Sequence, residues 1–168
     1  LLNHYDIKKT LISYHKHNEQ IKSDNILNLL ESGKSVAVVS DAGMPGISDP
    51  GSVLIAKCIE KGIEYEVLPG ATAMITALIY SGMDTTKFCF RGFLPKDNKG
   101  RLSVIEKLKD RDESLIFYEA PHRLINTLNF LKDNLGNRRI SICRELTKLH
   151  EEIIRTTLED ALIHYNNE

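Results

Sequence analysis

The chain has 168 residues, of which 42% are hydrophobic and 27% charged, and its formal net charge is -1. This length allows one domain or two small ones, with enough apolar residues to build a core. No apolar run approaches the roughly 20 residues that a membrane-spanning helix needs, and the N-terminus lacks the basic and apolar regions of a signal peptide. We therefore expect a cytoplasmic protein without a membrane span.

The first half of the sequence predicts alternating helices and strands. Apolar spacing and terminal glycines predict helices near 18–32, 52–61 and 71–81, with strands over 36–40 and 64–68. The residues expected to face inward on the first two helices are Ile21, Ile26, Leu27, Leu29 and Leu30, then Val53, Ile55, Ala56 and Ile59. This order is typical of a parallel sheet with right-handed crossovers.

The second half of the sequence predicts a second α/β series. The expected strands lie near 88–93, 115–118, 139–143 and 151–157. The expected helices lie near 100–110, 122–134 and 158–165, the second of them with an apolar stripe of Leu124, Leu128, Leu131 and Leu135. We predict an N-terminal domain at 1–82, a linker at 83–87 and a C-terminal domain at 88–168.

Positive charge is concentrated in the second half. Residues 1–85 carry 7 Lys and Arg against 10 Asp and Glu, whereas residues 86–168 carry 15 against 13. The segment 86–111 alone has a net charge of +5. This segment could dock a polyanion or form a solvated surface, since charge runs often face water.

The spacing of cysteines and histidines argues against a metal site. Cys58, Cys89 and Cys143 lie in apolar segments without C-x-x-C spacing, a pattern typical of buried free thiols. His15 and His17 have no second cluster of ligands nearby in the sequence, and zinc needs three or four ligands. We expect neither a disulfide nor a metal.

The loop after the predicted strand 36–40 is the most distinctive stretch of the sequence. It reads Ser-Asp-Ala-Gly-Met-Pro-Gly-Ile-Ser-Asp-Pro-Gly over residues 40–51. Asp41 stands at the carboxyl end of the strand, where open α/β sheets bind ligands. Gly43 and Gly46 permit positive φ and a close approach of ligand to backbone, while the prolines stiffen the loop. The pattern predicts one wall of a ligand-binding cleft.

A Pro-Gly turn at residues 69–70 precedes the third predicted helix. Its N–H groups and the helix dipole suit a carboxylate or phosphate, and Thr72 adds a hydroxyl, although Pro-Gly is also an ordinary helix entry. Because two adjacent parallel strands end at one sheet edge, we expect this turn and the Asp41 loop to frame one crevice. Neither loop has the spacing of a Walker motif or a dinucleotide fingerprint, and no serine nucleophile elbow occurs. An NTPase or nicotinamide enzyme is disfavoured.

Two further polar motifs stand where predicted strands of the second half end. They are Tyr118-Glu-Ala-Pro-His-Arg123 and Arg144-Glu-Leu-Thr-Lys148. Polar groups at strand ends can contact a ligand bound above the sheet. Alternatively, Glu119 and Arg123 could simply form an ion pair with each other. Three strand ends rich in functional groups exceed what helix capping requires, so these motifs predict further parts of a ligand site.

Five motifs in order resemble a known family. They are residues 40–51, Pro69-Gly-Ala-Thr-Ala73, Gly92-Phe-Leu-Pro95, Phe117-Tyr-Glu-Ala-Pro-His-Arg123 and the motif at 144–148. From Leu1 to about Leu162 the chain resembles the ribosomal RNA small subunit methyltransferase I family of the tetrapyrrole methylase superfamily, the class III S-adenosylmethionine-dependent methyltransferases. The resemblance implies an α/β fold of two domains, each with a central sheet flanked by helices, the first mostly parallel and the second mixed.

The resemblance also implies an activity. Members methylate the 2′-hydroxyl of a cytidine in 16S ribosomal RNA of the small subunit, with S-adenosylmethionine in the cleft between the domains, and homodimers are usual. The positions that match cofactor contacts or shape the first loop are Asp41, Gly43, Met44, Pro45, Gly46, Thr72, Ala73, Tyr118, Glu119, Glu145 and Leu146.

Methylation of a ribose hydroxyl calls for a general base, or a cation that favours loss of the proton. The candidates in the sequence are Glu145, Lys148 and His122. The cations expected to clamp RNA phosphates are Arg123, Arg144 and Lys148. The sequence does not choose among the three catalytic candidates.

The family pattern has parts that this sequence lacks. Members usually begin with a strand, a G-N-L-x-D turn and an A-E-D-T-R segment upstream of the position that matches Leu1, and they end with further strands of the second domain. We therefore expect the chain to be truncated at both ends. Two alternatives stay open: methylation of a tetrapyrrole or other small molecule, and an inactive fragment.

Overall fold

The structure of the protein is a computed structural model that describes residues 2–167. The chain divides into two compact units, Leu1–Ala71 and Thr72–Glu168. The predicted linker at 83–87 falls within the second unit, and the predicted domain boundaries stay a prediction. No helix in the described part of the chain is long and apolar enough to span a bilayer.

The described residues form six α-helices and four strands. The helices are α1 (Glu19–Glu31), α2 (Ser52–Glu60), α3 (Ala73–Ser81), α4 (Asn98–Glu106), α5 (Leu124–Leu135) and α6 (Leu158–Asn166). The strands are β1 (Phe88–Phe93), β2 (Ser114–Tyr118), β3 (Arg139–Arg144) and β4 (Glu152–Thr157). Short 3-10 helices lie at Asn3–Tyr5 and Pro121–Arg123. All six predicted helices and the four predicted strands of the second half are present.

In the first unit α1 packs against α2. Their shared core consists of Ile26 and Leu27 from α1 with Leu54 and Cys58 from α2. The predicted inward face of α2 is wrong, since Ile59 is 61% exposed. Six of the nine residues of this helix are apolar and they occupy more than one face, so periodicity alone does not select the face that meets α1.

The predicted inward face of α1 also needs correction at its N-terminal end. Ile21 is 71% exposed, whereas Ser23 is fully buried. The Ser23 hydroxyl shares a 3.0 Å hydrogen bond with the hydroxyl of Tyr14, which satisfies both groups. A polar residue therefore lies on the buried face because the preceding loop supplies its partner.

The predicted strands 36–40 and 64–68 are not paired in the structure. Both segments lack regular secondary structure, and no strand of residues 2–167 runs beside them in a ladder. Val36 and Val38 pack against the α1–α2 core, whereas Val39 is 60% exposed. The expectation of strands at 36–40 and 64–68 is therefore wrong for this chain, because a strand needs a hydrogen-bonded neighbour as well as a β-branched sequence.

The second unit contains two two-stranded sheets. Strands β1 and β2 are parallel, with Phe90 opposite Ile116. Strands β3 and β4 are antiparallel, with Ile142 opposite Ile154. The unit thus combines parallel and antiparallel pairing, and helices connect or flank both sheets.

The predicted leucine stripe of α5 faces the β3–β4 sheet. Leu128 is buried together with Leu158, Ala161 and Leu162 of α6, and Ile142 of β3 packs against this cluster. Helix α3 also contacts β3 and β4. These helices position the ends of β2 and β3, where the polar motifs stand.

Candidate active site

The glycine loop, residues 40–51, is tied to the Pro-Gly turn that follows it in the first unit. The N–H of Met44 donates a 2.9 Å hydrogen bond to the carbonyl of Ala71. Within the loop, the Ser40 hydroxyl donates to the carbonyl of Gly43 at 2.6 Å. Two segments about thirty positions apart in the sequence are thereby in direct contact, while the expected crevice between them stays a prediction.

Glycine is required at the point where the loop meets the turn. Gly43 has a φ of +78°, and a Cβ on it would lie 3.0 Å from the carbonyl oxygen of Ala71. Gly70 packs beside Met44, where an added Cβ would be 3.6 Å from the Met44 Cβ. Two backbones therefore approach each other closely without a side chain between them.

The carboxylate of Asp41 is exposed beside this junction. It forms no hydrogen bond or ion pair with residues 2–167. Pro45 and Gly46 are half-buried and shape the same loop. An exposed carboxylate without a protein partner is free to accept hydrogen bonds from hydroxyl or ammonium groups of a ligand.

Thr72 and Ala73 belong to the second unit and begin α3. Thr72 is the residue before the helix, has extended backbone angles, and makes no side-chain cap bond. Its carbonyl accepts a 3.0 Å hydrogen bond from the Thr76 hydroxyl. The Thr72 hydroxyl therefore remains available at the N-terminus of the helix.

The carboxylate of Glu119 is the best-anchored acidic group at the strand ends. Its side chain is only 9% exposed. Oε2 accepts a 2.6 Å hydrogen bond from the Thr127 hydroxyl, and Oε1 accepts one of 2.8 Å from the Ala120 N–H. Oε1 also lies 3.4 Å from Nε of Arg123. Both oxygens are thus held by donors from β2's end and from α5.

Arg123 connects two of the sequence motifs through backbone carbonyls. Its Nη2 donates to the carbonyl of Leu94 at 3.1 Å and to that of Pro95 at 3.4 Å. The side chain is 20% exposed. Its contacts are therefore internal to the protein, and its role as an RNA contact stays a prediction.

A cavity of about 440 Å³ brings together acidic and basic groups from the ends of β2 and β3. Glu119, Arg144 and Glu145 line it, and Leu124 and Ile142 supply apolar surface. A volume of this size falls within the usual range of small-molecule sites. The structure thus places around one cavity three residues that the sequence predicted in separate motifs: Glu119, Arg144 and Glu145.

The turn after β3 holds Glu145 in an unusual backbone conformation. Glu145 has a φ of 51° and Thr147 a φ of 65°, a region that non-glycine residues rarely occupy. The turn is braced by the Thr147 N–H, which donates to Glu151 at 2.6 Å, and by Lys148, whose Nζ lies 3.2 Å from the Glu145 carboxylate. Strain of this kind persists where the surroundings fix a side chain for function.

The Arg144 guanidinium lies beside a carboxylate of the neighbouring strand. Its Nε is 3.2 Å from Oε2 of Glu152, which also accepts a 3.3 Å hydrogen bond from the Tyr165 hydroxyl. The Arg144 side chain is 49% exposed, so its remaining donors reach solvent. Glu152 and Tyr165 were not predicted to belong to the site.

Comparison with known proteins identifies the family. The sequence profile described as Tetrapyrrole (Corrin/Porphyrin) Methylases matches residues 3–162. The chain belongs to this tetrapyrrole methylase family.

Curated relatives agree with this assignment. A protein of Halalkalibacterium halodurans named Ribosomal RNA small subunit methyltransferase I is 50% identical over 168 residues, which is 100% of the chain and 58% of the relative. Relatives of the same name from Synechocystis and Thermotoga maritima are 46% and 44% identical over 98% of the chain, which covers 60% and 74% of their lengths. The chain thus spans about three fifths of the first two of these relatives.

Tyr118, His122 and Leu146 are among the predicted site residues that do not line the 440 Å³ cavity. Tyr118 packs edge-on against the ring of Phe90, with centroids 4.9 Å apart. His122 is exposed on the Pro121–Arg123 helix and has no hydrogen bond within residues 2–167. Leu146 is half-buried in the turn after β3.

The tetrapyrrole methylase structure adds Thr127 to the candidate site. Thr127 is 4% exposed and lies on the same face of α5 as Leu124 and Leu131, three and four residues away. A threonine within an apolar helix face must find a hydrogen-bond partner when buried. That signal was present in the sequence, although the identity of the partner, Glu119, was not.

No group of three or more His, Cys, Asp or Glu side chains in the described part of this tetrapyrrole methylase is arranged to hold a metal ion. The cysteines are free thiols. Cys58 is buried, and burial raises the pKa of its thiol. A raised pKa keeps the thiol protonated and unreactive, as expected for a packing residue.

Proposed function

We propose that this protein takes part in S-adenosylmethionine-dependent methylation of ribosomal RNA, with the 2′-hydroxyl of a cytidine in 16S ribosomal RNA as the target. The observation that carries this proposal is the 50% identity over the whole chain to a relative named as a small-subunit ribosomal RNA methyltransferase. The cavity that joins Glu119, Arg144 and Glu145 supports it, because it offers charged groups at the strand ends where such folds bind ligands.

The glycine loop fits the methyl donor. S-adenosylmethionine carries ribose hydroxyls and an ammonium group, which suit an exposed carboxylate such as Asp41. The close junction of Gly43 with Ala71 leaves backbone, rather than side chains, at the loop surface. We propose that Asp41, Met44 and the loop glycines hold the donor together with Thr72 and Ala73. When bound, the donor supplies an electrophilic methyl group on a sulfonium.

Among the three candidate bases, geometry favours Glu145. It lines the cavity, whereas neither Lys148 nor His122 does. We propose that the Glu145 carboxylate takes the proton of the attacking hydroxyl while the methyl carbon passes to the hydroxyl oxygen from the sulfonium sulfur, which keeps the bonding electron pair as a neutral thioether. Lys148, with Nζ 3.2 Å from this carboxylate, balances its charge and orients it. Positioning supplies the remaining rate enhancement, because holding the hydroxyl and the methyl donor in line replaces a bimolecular encounter.

Binding of the donor is the first test. We expect Asp41→Asn to weaken S-adenosylmethionine binding at least about tenfold, the loss of one charge-assisted hydrogen bond. Glu60→Gln is the matched control, because Glu60 is an exposed acid of the same unit without a partner in the described chain. Isothermal titration calorimetry measures both. Equal affinities for the two variants would remove Asp41 from the site, and no binding by the unmodified protein would favour an inactive fragment.

Transfer of a labelled methyl group identifies the substrate. We expect label in the ribose of 16S ribosomal RNA when small subunits lacking this modification are supplied. The family description also names tetrapyrrole methylation, so a corrin or porphyrin precursor is the competing acceptor. Label in that acceptor alone would contradict the RNA proposal. Glu145→Gln is expected to slow transfer at least about hundredfold while leaving donor binding intact.

We further propose a cytoplasmic homodimer, because ribosomal RNA is the proposed substrate and homodimers are implied by the family resemblance. We also propose that residues 1–82 and 88–168 belong to two α/β domains joined by a linker at 83–87. Sedimentation equilibrium of the full-length protein tests the dimer. A monomer at micromolar concentration would contradict it.

A further inference from the structure

A second cavity of the Thr72–Glu168 unit contains two arginines. It has a volume of about 310 Å³ and lies where the end of α3 meets β3 and β4. Its lining includes Ser81, Met83, Arg139, Arg155 and Thr157, and no carboxylate lines it. None of these residues was predicted from the sequence to contact a ligand.

The pairing register places both guanidinium groups on one face of the sheet. Arg139 is opposite Thr157 and Ser141 is opposite Arg155, so the two arginines are diagonal neighbours. Nε of Arg155 donates a 2.8 Å hydrogen bond to the carbonyl of Tyr80 at the end of α3. This bond fixes one guanidinium at the cavity wall.

Arg139 has no acidic partner in residues 2–167, in contrast to the cations predicted to bind RNA. Arg123, Arg144 and Lys148 each lie within 3.4 Å of a glutamate oxygen. The hydroxyl of Thr157 accepts from the Asp160 N–H and donates to its carboxylate, so it is already engaged in capping α6. The positive charge of the two arginines is therefore not neutralised at the cavity.

We propose that Arg139 and Arg155 form a binding site for a phosphodiester group of the RNA substrate, an inference that rests on the proposed function. Guanidinium groups bind phosphate oxygens through paired N–H donors, and two of them neutralise one phosphate more than fully. Met83 adds apolar surface to the same cavity, which suits the carbon face of a ribose. The site contacts the backbone and carries no base specificity.

The test is the salt dependence of RNA binding, measured by fluorescence anisotropy with a labelled 16S ribosomal RNA fragment from about 50 to 200 mM salt. Arg139→Gln is expected to weaken binding about three- to tenfold at low salt and to lower the slope of log affinity against log salt by about 0.7–1. Arg139→Lys retains the charge but not the planar fork, so it should keep the slope and lose part of the affinity.

Lys34→Gln is the matched control, because it removes one positive charge from an exposed position of the first unit. Its slope and affinity are expected to equal those of the unmodified protein. If Arg139→Gln behaves like Lys34→Gln while the unmodified protein binds RNA, the inference is overturned and the proposed function stands. If the unmodified protein binds no RNA, both are overturned.

Discussion

The Thr127 hydroxyl donates a 2.6 Å hydrogen bond to Oε2 of Glu119 from a buried position on α5. Oε1 of the same carboxylate accepts from Ala120 and faces Arg123. With donors on both oxygens, Glu119 is held in place and is poorly suited to take a proton from a substrate. Glu119 therefore fits a ligand-orienting role, and Glu145, whose side chain is 47% exposed and has only Lys148 as its partner within residues 2–167, remains the better candidate for the base.

Thr127→Val tests this anchoring. It keeps the shape of the side chain but leaves a largely buried carboxylate with one donor fewer, which should lower the free energy of unfolding by about 1.5–3 kcal/mol. Thr127→Ser keeps the hydroxyl and removes only a methyl group, so it should lower the free energy of unfolding by about 1 kcal/mol. Urea unfolding of both variants measures the difference. A valine variant at least as stable as the serine variant would contradict the anchoring role.

Arg123→Lys should destabilise the second unit although it preserves the charge. Lysine cannot reproduce the planar set of donors that reaches Glu119 and the carbonyls of Leu94 and Pro95, so we expect a loss of about 1–2 kcal/mol. Thermal unfolding followed by circular dichroism measures it as a lower midpoint. Arg91→Lys, at an exposed arginine without a partner in the described chain, is the control. An unchanged midpoint with weaker RNA binding would instead make Arg123 a surface phosphate contact.

The sequence predicted those elements whose signal is local. Helix α5 has one apolar face, which is formed by Leu124, Leu128 and Leu131. In the structure that face packs against α6 and β3. Helix α2 has apolar residues on more than one face, so the sequence did not show that Leu54 rather than Ile59 meets α1. Periodicity selects a face only when the other face is polar.

Features that depend on distant parts of the chain were not predictable in the same way. The run from Val36 to Val39 has strong β propensity, but a ladder requires a neighbouring strand, and none in the described chain pairs with it. Likewise, the motifs predicted that Glu119 and Glu145 are functional without showing that both line one cavity with Arg144. Which residues contact each other depends on tertiary packing, and a short sequence motif does not encode that packing.

The carboxylate of Asp84 provides a test of pH dependence. The Thr86 hydroxyl and N–H donate to Asp84 Oδ1 at 2.7 and 2.8 Å and lower the pKa of that carboxyl. A lowered folded-state pKa contributes stability above the unfolded-state pKa, and this stability is lost as the pH falls through the folded-state pKa.

Thr86→Val should therefore raise the pKa of Asp84 toward its ordinary value, because the hydroxyl bond, the largest cause of the shift, is lost while the N–H bond remains. The contribution of Asp84 to stability above its unfolded-state pKa would then be smaller, and its loss on acidification would be complete at a higher pH. Carboxyl chemical shifts in an NMR titration measure the pKa directly. Thr85→Val, one residue away, should leave it unchanged. Identical titrations for the two variants would show that the hydroxyl bond does not lower the pKa of Asp84.

Gly43→Ala tests the junction between the glycine loop and Ala71. The substitution combines the cost of a positive φ, about 1 kcal/mol or more, with a Cβ placed 3.0 Å from the Ala71 carbonyl. Gly33→Ala has nearly the same φ, +81°, and open space around the added Cβ, so it isolates the backbone cost.

We expect Gly43→Ala to lose about 1–3 kcal/mol more than Gly33→Ala in urea unfolding, since the contact is with backbone that must shift to relieve it. We also expect it to weaken S-adenosylmethionine binding in calorimetry, because the shift moves the N–H of Met44 away from Ala71 and displaces the loop that carries Asp41. Gly33→Ala should bind the donor normally. Equal stability of the two variants would mean that the backbone at the junction shifts without cost. Glycine at position 43 would then be needed only for its positive φ.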